Sequence, residues 1–137
     1  MERTTASRHE VPPSGAGGES PHNQALGARG ESIAAAYLEG LGLRVLDRNW
    51  RTRHGEIDLV VSDQGVIVAV EVKTRSGAGY GNPLEAITAR KAARLRRLLL
   101  DWVRGHSAPG AGLRIDAIGI TLMPGAPPRI DHLRGLL

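Results

Sequence analysis

Two β-branched runs, Glu56–Ser62 (EIDLVVS) and Val66–Lys73 (VIVAVEVK), flank the turn-forming stretch SDQG. Runs this close together are satisfied by an antiparallel hairpin, with Gly65 free to take a positive φ in the turn. The hairpin also carries Glu56, Asp58, Glu71 and Lys73 among its valines and isoleucines. Side chains alternate faces along a strand. Glu56 therefore shares a face with Asp58, and Glu71 with Lys73, while Ile57, Val70 and Val72 point to the opposite face. Pairing the strands about Gln64 and Gly65 sets Asp58 opposite Glu71.

Two carboxylates at one spot repel, and burying either is costly. A divalent cation resolves both difficulties. Oxygen donors suit Mg²⁺ or Mn²⁺, and Mg²⁺ takes one or two carboxylates and completes its shell with water and phosphate. Lys73 would sit beside the attacking water and the charge that builds on a phosphorus centre. An E-x-K pair alone is as readily a solvated ion pair of little energetic weight. Asp58 at hairpin distance, with aliphatic runs on both strands, favours the chemical reading.

The remaining pattern supplies helices to cover such a hairpin. Met1 to about Asn23 is rich in Ser, Thr, Pro and Gly without an apolar period and reads as a disordered tail. From about Gln24 to Leu41 an Ala-rich stripe (Ala28, Ile33, Ala34, Ala35, Tyr37, Leu38, Leu41) has helical spacing, and Gly40 and Gly42 stop it. Leu43–Arg48 reads as a short strand, with Leu43 and Val45 alternating against Arg44 and Leu46. Ser76–Pro83 reads as a mobile loop. Thr88 is placed to cap a helix that runs to Arg104, with Gly105 after it. One side of that helix carries Ala92, Leu95, Leu98, Leu99, Trp102 and Val103; the other carries Arg90, Arg94, Arg97 and Arg104. Leu113–Leu122 alternates as a strand, and Arg129–Leu133 reads as a last edge strand. This order predicts an α/β domain from residue 25 to 137, a single mixed β-sheet flanked by helices, after a tail of residues 1–24.

Composition narrows the function classes. The chain has 137 residues, no Cys and no Phe. A disulfide framework, a thiolate metal site and a Cys nucleophile are excluded, and the core must be aliphatic. No apolar run approaches the roughly 20 residues of a spanning helix, and Met1–Ser20 has no apolar stretch of the secretory kind. No membrane association and a cytoplasmic location are expected. Lys plus Arg is 18 against 14 Asp plus Glu, a formal charge of +4, which leans towards a polyanionic partner. Few aromatics argue against base stacking as the main binding mode; backbone contacts on duplex or branched DNA fit better.

Asp58 followed thirteen residues later by Glu71-Val72-Lys73 resembles the PD-(D/E)xK nuclease superfamily, whose core is restriction-endonuclease-like. Gly30-Glu31, Arg48-Asn49-Trp50-Arg51, Gly55-Glu56-Ile57-Asp58-Leu59, Glu71-Val72-Lys73-Thr74-Arg75 and Arg114-Ile115-Asp116 resemble the YraN-like family, itself similar to archaeal Holliday-junction resolvases. The resemblance covers about Ala25 to Leu133. It departs from the superfamily at Ile57, where Pro is usual. It implies a metal-dependent DNA endonuclease with Asp58, Glu71 and the Val72 carbonyl as Mg²⁺ or Mn²⁺ ligands and Lys73 as the catalytic lysine. Glu31 matches the helix glutamate that completes some resolvase sites; a first-turn Glu complementing the helix dipole accounts for it about as readily. Thr74 and Arg75 could reach substrate phosphate, and Arg90, Arg94 and Arg97 could track the nucleic-acid backbone. His54 reads as a turn residue, and Arg114 with Asp116 as a structural cross-strand pair. A non-catalytic nucleic-acid-binding module on the same fold, or an RNA-processing nuclease, fits the same residues. A homodimer would supply two matched sites, with Arg129–Leu133 and Leu136-Leu137 as an apolar contact; a monomer would nick.

Overall fold

In the computed structural model, which describes residues 20–77, 81–108 and 112–136, five strands form one mixed sheet between two helices. Helix α1 spans Pro21–Gly40. Strands β1 (Arg44–Thr52), β2 (Gly55–Asp63) and β3 (Val66–Ser76) follow as an antiparallel meander. A 3₁₀ turn at Pro83–Ala86 leads to α2 (Ala89–His106), which crosses over to β4 (Gly112–Leu122), parallel to β3. Strand β5 (Arg129–Leu133) closes the edge antiparallel to β4, giving the order β1-β2-β3-β4-β5. The expected mixed sheet flanked by helices is what forms.

Local chemistry sets the element ends. Ser20 Oγ accepts from Asn23 N at 3.1 Å and Pro21 opens α1, so the helix begins three residues earlier than the apolar period suggests. The rest of the expected tail, residues 1–19, lies outside the described residues. Thr88 Oγ1 caps α2 through Lys91 N at 3.1 Å, as expected. That helix does not stop at Arg104: it runs through Gly105 to His106, and Ser107 takes the left-handed turn (φ 48°). Both Gln64 (φ 52°) and Gly65 (φ 91°) have positive φ in the β2–β3 turn, the geometry that matches strand twist in a two-residue hairpin.

The core is double. On one face Ala34, Ala35 and Leu38 of α1 pack with Leu59, Val61, Val68, Val70, Val72, Ile118 and Ile120. On the other, Leu95, Leu98, Leu99 and Trp102 of α2 pack with Ile57, Val60, Ile67, Ala69 and Ile115. Ala28 and Leu41, expected on the apolar stripe of α1, are exposed. Ile57 also departs from expectation. It packs on the α2 side with Val60, three residues on, so the two-residue alternation of β2 breaks between them. Strand β1 reaches Thr52 rather than Arg48, with a bulge between Val45 and Asp47. The bulge turns Asp47 inward, where its Oδ2 accepts from Trp102 Nε1 at 2.8 Å.

Candidate functional site

Strands β2 and β3 pair from Asp63↔Val66 to Leu59↔Val70, the register that turn geometry predicts. Beyond that point the Asp58 side chain takes over: its Oδ2 accepts from Val72 N at 2.8 Å. Here the hairpin borders a cavity of about 650 Å³. Asp58, Glu71 and Lys73 all line it, as do Glu56, Thr74 and Arg75. Helix α1 forms one wall with Asn23, Leu26, Gly27 and Glu31, and the first turns of α2 form another with Lys91, Arg94, Leu95 and Leu98. The cavity thus sits beside the carboxyl half of β3, where ligands of open α/β sheets commonly bind.

The carboxylates are strained electrostatically. Asp58 is only 6% exposed. Burial, and then the charge of Glu71, push its carboxyl well above the usual carboxylate range, with Glu31 and Glu56 adding to the push and the Val72 N–H opposing it. Burial likewise raises Glu71 against the pull of Lys73, Lys91 and Arg94. Glu56 is tied to Arg51 across the β1–β2 turn. The cations of the cavity are differently placed. Among the described residues, Lys73, Arg75, Lys91 and Arg94 enter no salt bridge. The cavity therefore sets raised carboxyls beside cations that form no salt bridge among the described residues.

Several expected residues lie elsewhere. Arg90 and Arg97 are exposed on α2 and do not line the cavity, whereas Arg94 does. His54 is an exposed turn residue whose Nε2 meets Arg53 Nε at 3.4 Å. Asp116 is fully buried away from the cavity, held by Arg114 at 2.9 and 3.1 Å, His132 Nε2 at 2.9 Å and Gly135 N at 3.0 Å. Arg114 and Asp116 sit two residues apart on β4, so their pair runs within one strand rather than across strands as expected; the cross-strand ion pair of Arg114 is with Asp63 on β2 at 3.0 Å. Leu136, partly buried, packs on the α2-side core and donates its N–H to Ile115 O; Leu137 lies outside the described residues. Lys91 was not singled out in the sequence. Its signal there was one-turn spacing to Arg94 at the start of a helix that follows the Glu71–Lys73 strand.

The chain matches the model of the uncharacterised protein family UPF0102 over residues 30–120. It belongs to this family. This is the YraN-like family that the GEIDL and EVKTR segments resemble. The UPF0102 protein of Rhodococcus opacus (strain B4) is 47% identical over 113 residues, 82% of this chain and 96% of that protein. A UPF0102 protein of Leifsonia xyli subsp. xyli is 51% identical over 112 residues, 82% and 95% of the two chains. Among solved structures, the Holliday junction resolvase Hjc of Archaeoglobus fulgidus aligns with a TM-score of 0.37 and 21% identity, covering 77% of this chain and 75% of that one.

A divalent cation suits the donors at this cavity. Among the described residues no three His, Cys, Asp or Glu side chains converge to hold a metal unaided. A buried carboxylate, Asp58, and a half-buried one, Glu71, on adjacent strands do match the habit of Mg²⁺, which keeps several waters and leaves room for a phosphate.

Proposed function

We propose that this protein is a divalent-metal-dependent nuclease that hydrolyses phosphodiester bonds in DNA. The observation that carries the reading is the separation of charge in one cavity. Burial outweighs the pull of Lys73, Lys91 and Arg94 on Glu71 and leaves both carboxyls raised, while Lys73, Arg75, Lys91 and Arg94 stay out of salt bridges among the described residues. A ligand that complements both sets is a metal cation joined to a phosphate.

Asp58, Glu71 and the Val72 carbonyl would hold Mg²⁺ or Mn²⁺. Bound there, the cation would polarise a phosphoryl oxygen and acidify water. Lys73 follows Glu71 on the same face of β3 and donates to the attacking water or to the charge developing on the phosphoryl oxygens. Lys91, Arg94 and Arg75 bind the substrate phosphates and fix the strand in the cavity. Glu31 brings a carboxylate from α1. DNA as the substrate rests on the resemblance of Gly55–Leu59 and Glu71–Arg75 to the YraN-like family, itself similar to archaeal Holliday-junction resolvases.

The test is incubation of the purified chain with plasmid, four-way branched DNA and RNA, each with Mg²⁺, Mn²⁺ or EDTA. Cleavage of DNA that EDTA abolishes is expected. Cleavage of RNA alone would reassign the substrate. Binding without cleavage in every condition would leave a nucleic-acid-binding module.

A further inference from the structure

Gly30 stands buried in the middle of α1, where glycine is a poor helix former. The reason for it is steric. A Cβ at this position would lie 1.7 Å from Thr74 Oγ1, 2.8 Å from Thr74 Cβ and 2.9 Å from Thr74 Cγ2. Rotating Thr74 cannot relieve this, because its Cβ is itself too close. At Gly27 and Gly40, the other glycines of α1, an added Cβ meets nothing within 4 Å. Of the three, Gly30 alone presses the helix backbone onto β3. Each partner of the contact adjoins a cavity residue: Glu31 follows Gly30 and Lys73 precedes Thr74.

We propose that the Gly30–Thr74 contact is the spacer that sets the α1 wall against the hairpin, so that Gly30 is a positioning residue that holds Glu31 at working distance from Asp58, Glu71 and Lys73. This rests on the nuclease reading of the cavity. Alanine at position 30 requires α1 and β3 to part by on the order of 1.5 Å to restore ordinary contact. A misplacement of that size in a reacting geometry lowers the rate about 100-fold. The volume can be returned from the other side, because glycine at position 74 removes all three clashing atoms.

Four variants test the spacer: Gly30→Ala, Thr74→Gly, the two combined, and Gly30→Ala combined with Glu31→Gln. Each is compared with wild type and Glu31→Gln for Mn²⁺-dependent cleavage, Mn²⁺ affinity by calorimetry and thermal melting. Gly30→Ala is expected to lower kcat about 100-fold while KM moves by less than about threefold. The combined Gly30→Ala/Thr74→Gly variant is expected to recover to the level of Thr74→Gly. On a Glu31→Gln background, Gly30→Ala is expected to add little further loss, because both changes act through one carboxylate. Wild-type kcat in Gly30→Ala, full additivity with Glu31→Gln, or a folded double variant well below Thr74→Gly would each overturn the spacer. If Gly30→Ala does not fold, the comparison of the double variant with Thr74→Gly still decides. Failure of the nuclease reading shows separately, as wild-type protein that cleaves nothing; Mn²⁺ affinity across the same variants then carries the test.

Discussion

Burial, and the nearness of Glu71, hold the Asp58 carboxyl above its ordinary value of 3.8. A group whose folded pKa exceeds its unfolded one binds its proton more readily in the folded state, so its contribution is best below the unfolded value, worsens as pH rises from there to the raised value, and stays at its worst above that. Near neutral pH the Asp58 charge therefore opposes folding. Asp58→Asn keeps a side-chain oxygen for the Val72 N–H and removes the charge. Without metal it is expected to melt higher than wild type near neutral pH by roughly 3 °C or more. The gain should shrink as pH is lowered towards 3.8. Calorimetric titration with Mn²⁺ should show a loss of affinity beyond the ~10–100-fold typical of removing an outer-shell partner. A lower melting temperature with unchanged Mn²⁺ affinity would remove Asp58 from the metal site. Lys73→Ala should behave differently. It is expected to lose about 100- to 1,000-fold in single-turnover cleavage at saturating Mn²⁺, while DNA affinity in EDTA stays near wild type. A wild-type cleavage rate would make Lys73 an electrostatic partner of Glu71 and nothing more.

Helix α2 offers two kinds of cation. Lys91 and Arg94 line the cavity within one turn of each other, while Arg90 and Arg97 are exposed outside its lining. Each phosphate contact removed lowers the salt slope of duplex binding by about 0.9. The Lys91→Gln/Arg94→Gln variant is expected to bind DNA more weakly, with a slope flatter by nearly 2. The Arg90→Gln/Arg97→Gln variant should change the slope by less. Binding isotherms across a salt series, in EDTA, separate the two pairs. Equal slopes in both variants and wild type would mean that α2 is a solvated face and that the substrate enters elsewhere.

Across the whole molecule, Asp116 joins parts that no single element connects. Burial would raise its pKa, but the Arg114 guanidinium, His132 and the Gly135 N–H outweigh that and hold it below 3.8. Tyr37 on α1 extends the chain of contacts through its hydroxyl, 3.0 Å from His132 Nδ1. The sign here is opposite to that at Asp58: the stabilisation is present above the unfolded pKa and is lost as pH falls through the lowered folded value. Asp116→Ala leaves the half-buried Arg114 guanidinium without one carboxylate and the Gly135 N–H without its acceptor, and is expected to cost about 1–3 kcal/mol. Chemical denaturation at neutral pH measures it, and a loss below about 1 kcal/mol would show that Arg114 is satisfied by Asp63 alone. Assembly sets the pattern of cutting. On the nuclease reading, a single chain would nick one strand, and paired cuts would need two copies about a two-fold axis. Light scattering with and without branched DNA reports which of these forms.

What the sequence determined by itself is local. Turn chemistry at Gln64–Gly65 and the two-residue period placed β2 against β3 in the observed register. The 3.6-residue period separated the buried face of α2 from its arginines. Asp58, Glu71 and Lys73 were legible because they lie on one hairpin, where counting from the turn fixes distance. The tertiary structure decided what depends on contacts between distant segments. How far α1 slides along the sheet is written in no local period: the resemblance pointed to Glu31, but its place in the cavity wall and the contact of Gly30 with Thr74 are set only when helix and strand pack. The bulge that turns Asp47 inward, and the break in alternation between Ile57 and Val60, have the same origin. Each satisfies a partner on another element, Trp102 for Asp47 and the α2-side core for Ile57, and such a demand can override the strand period that local sequence encodes.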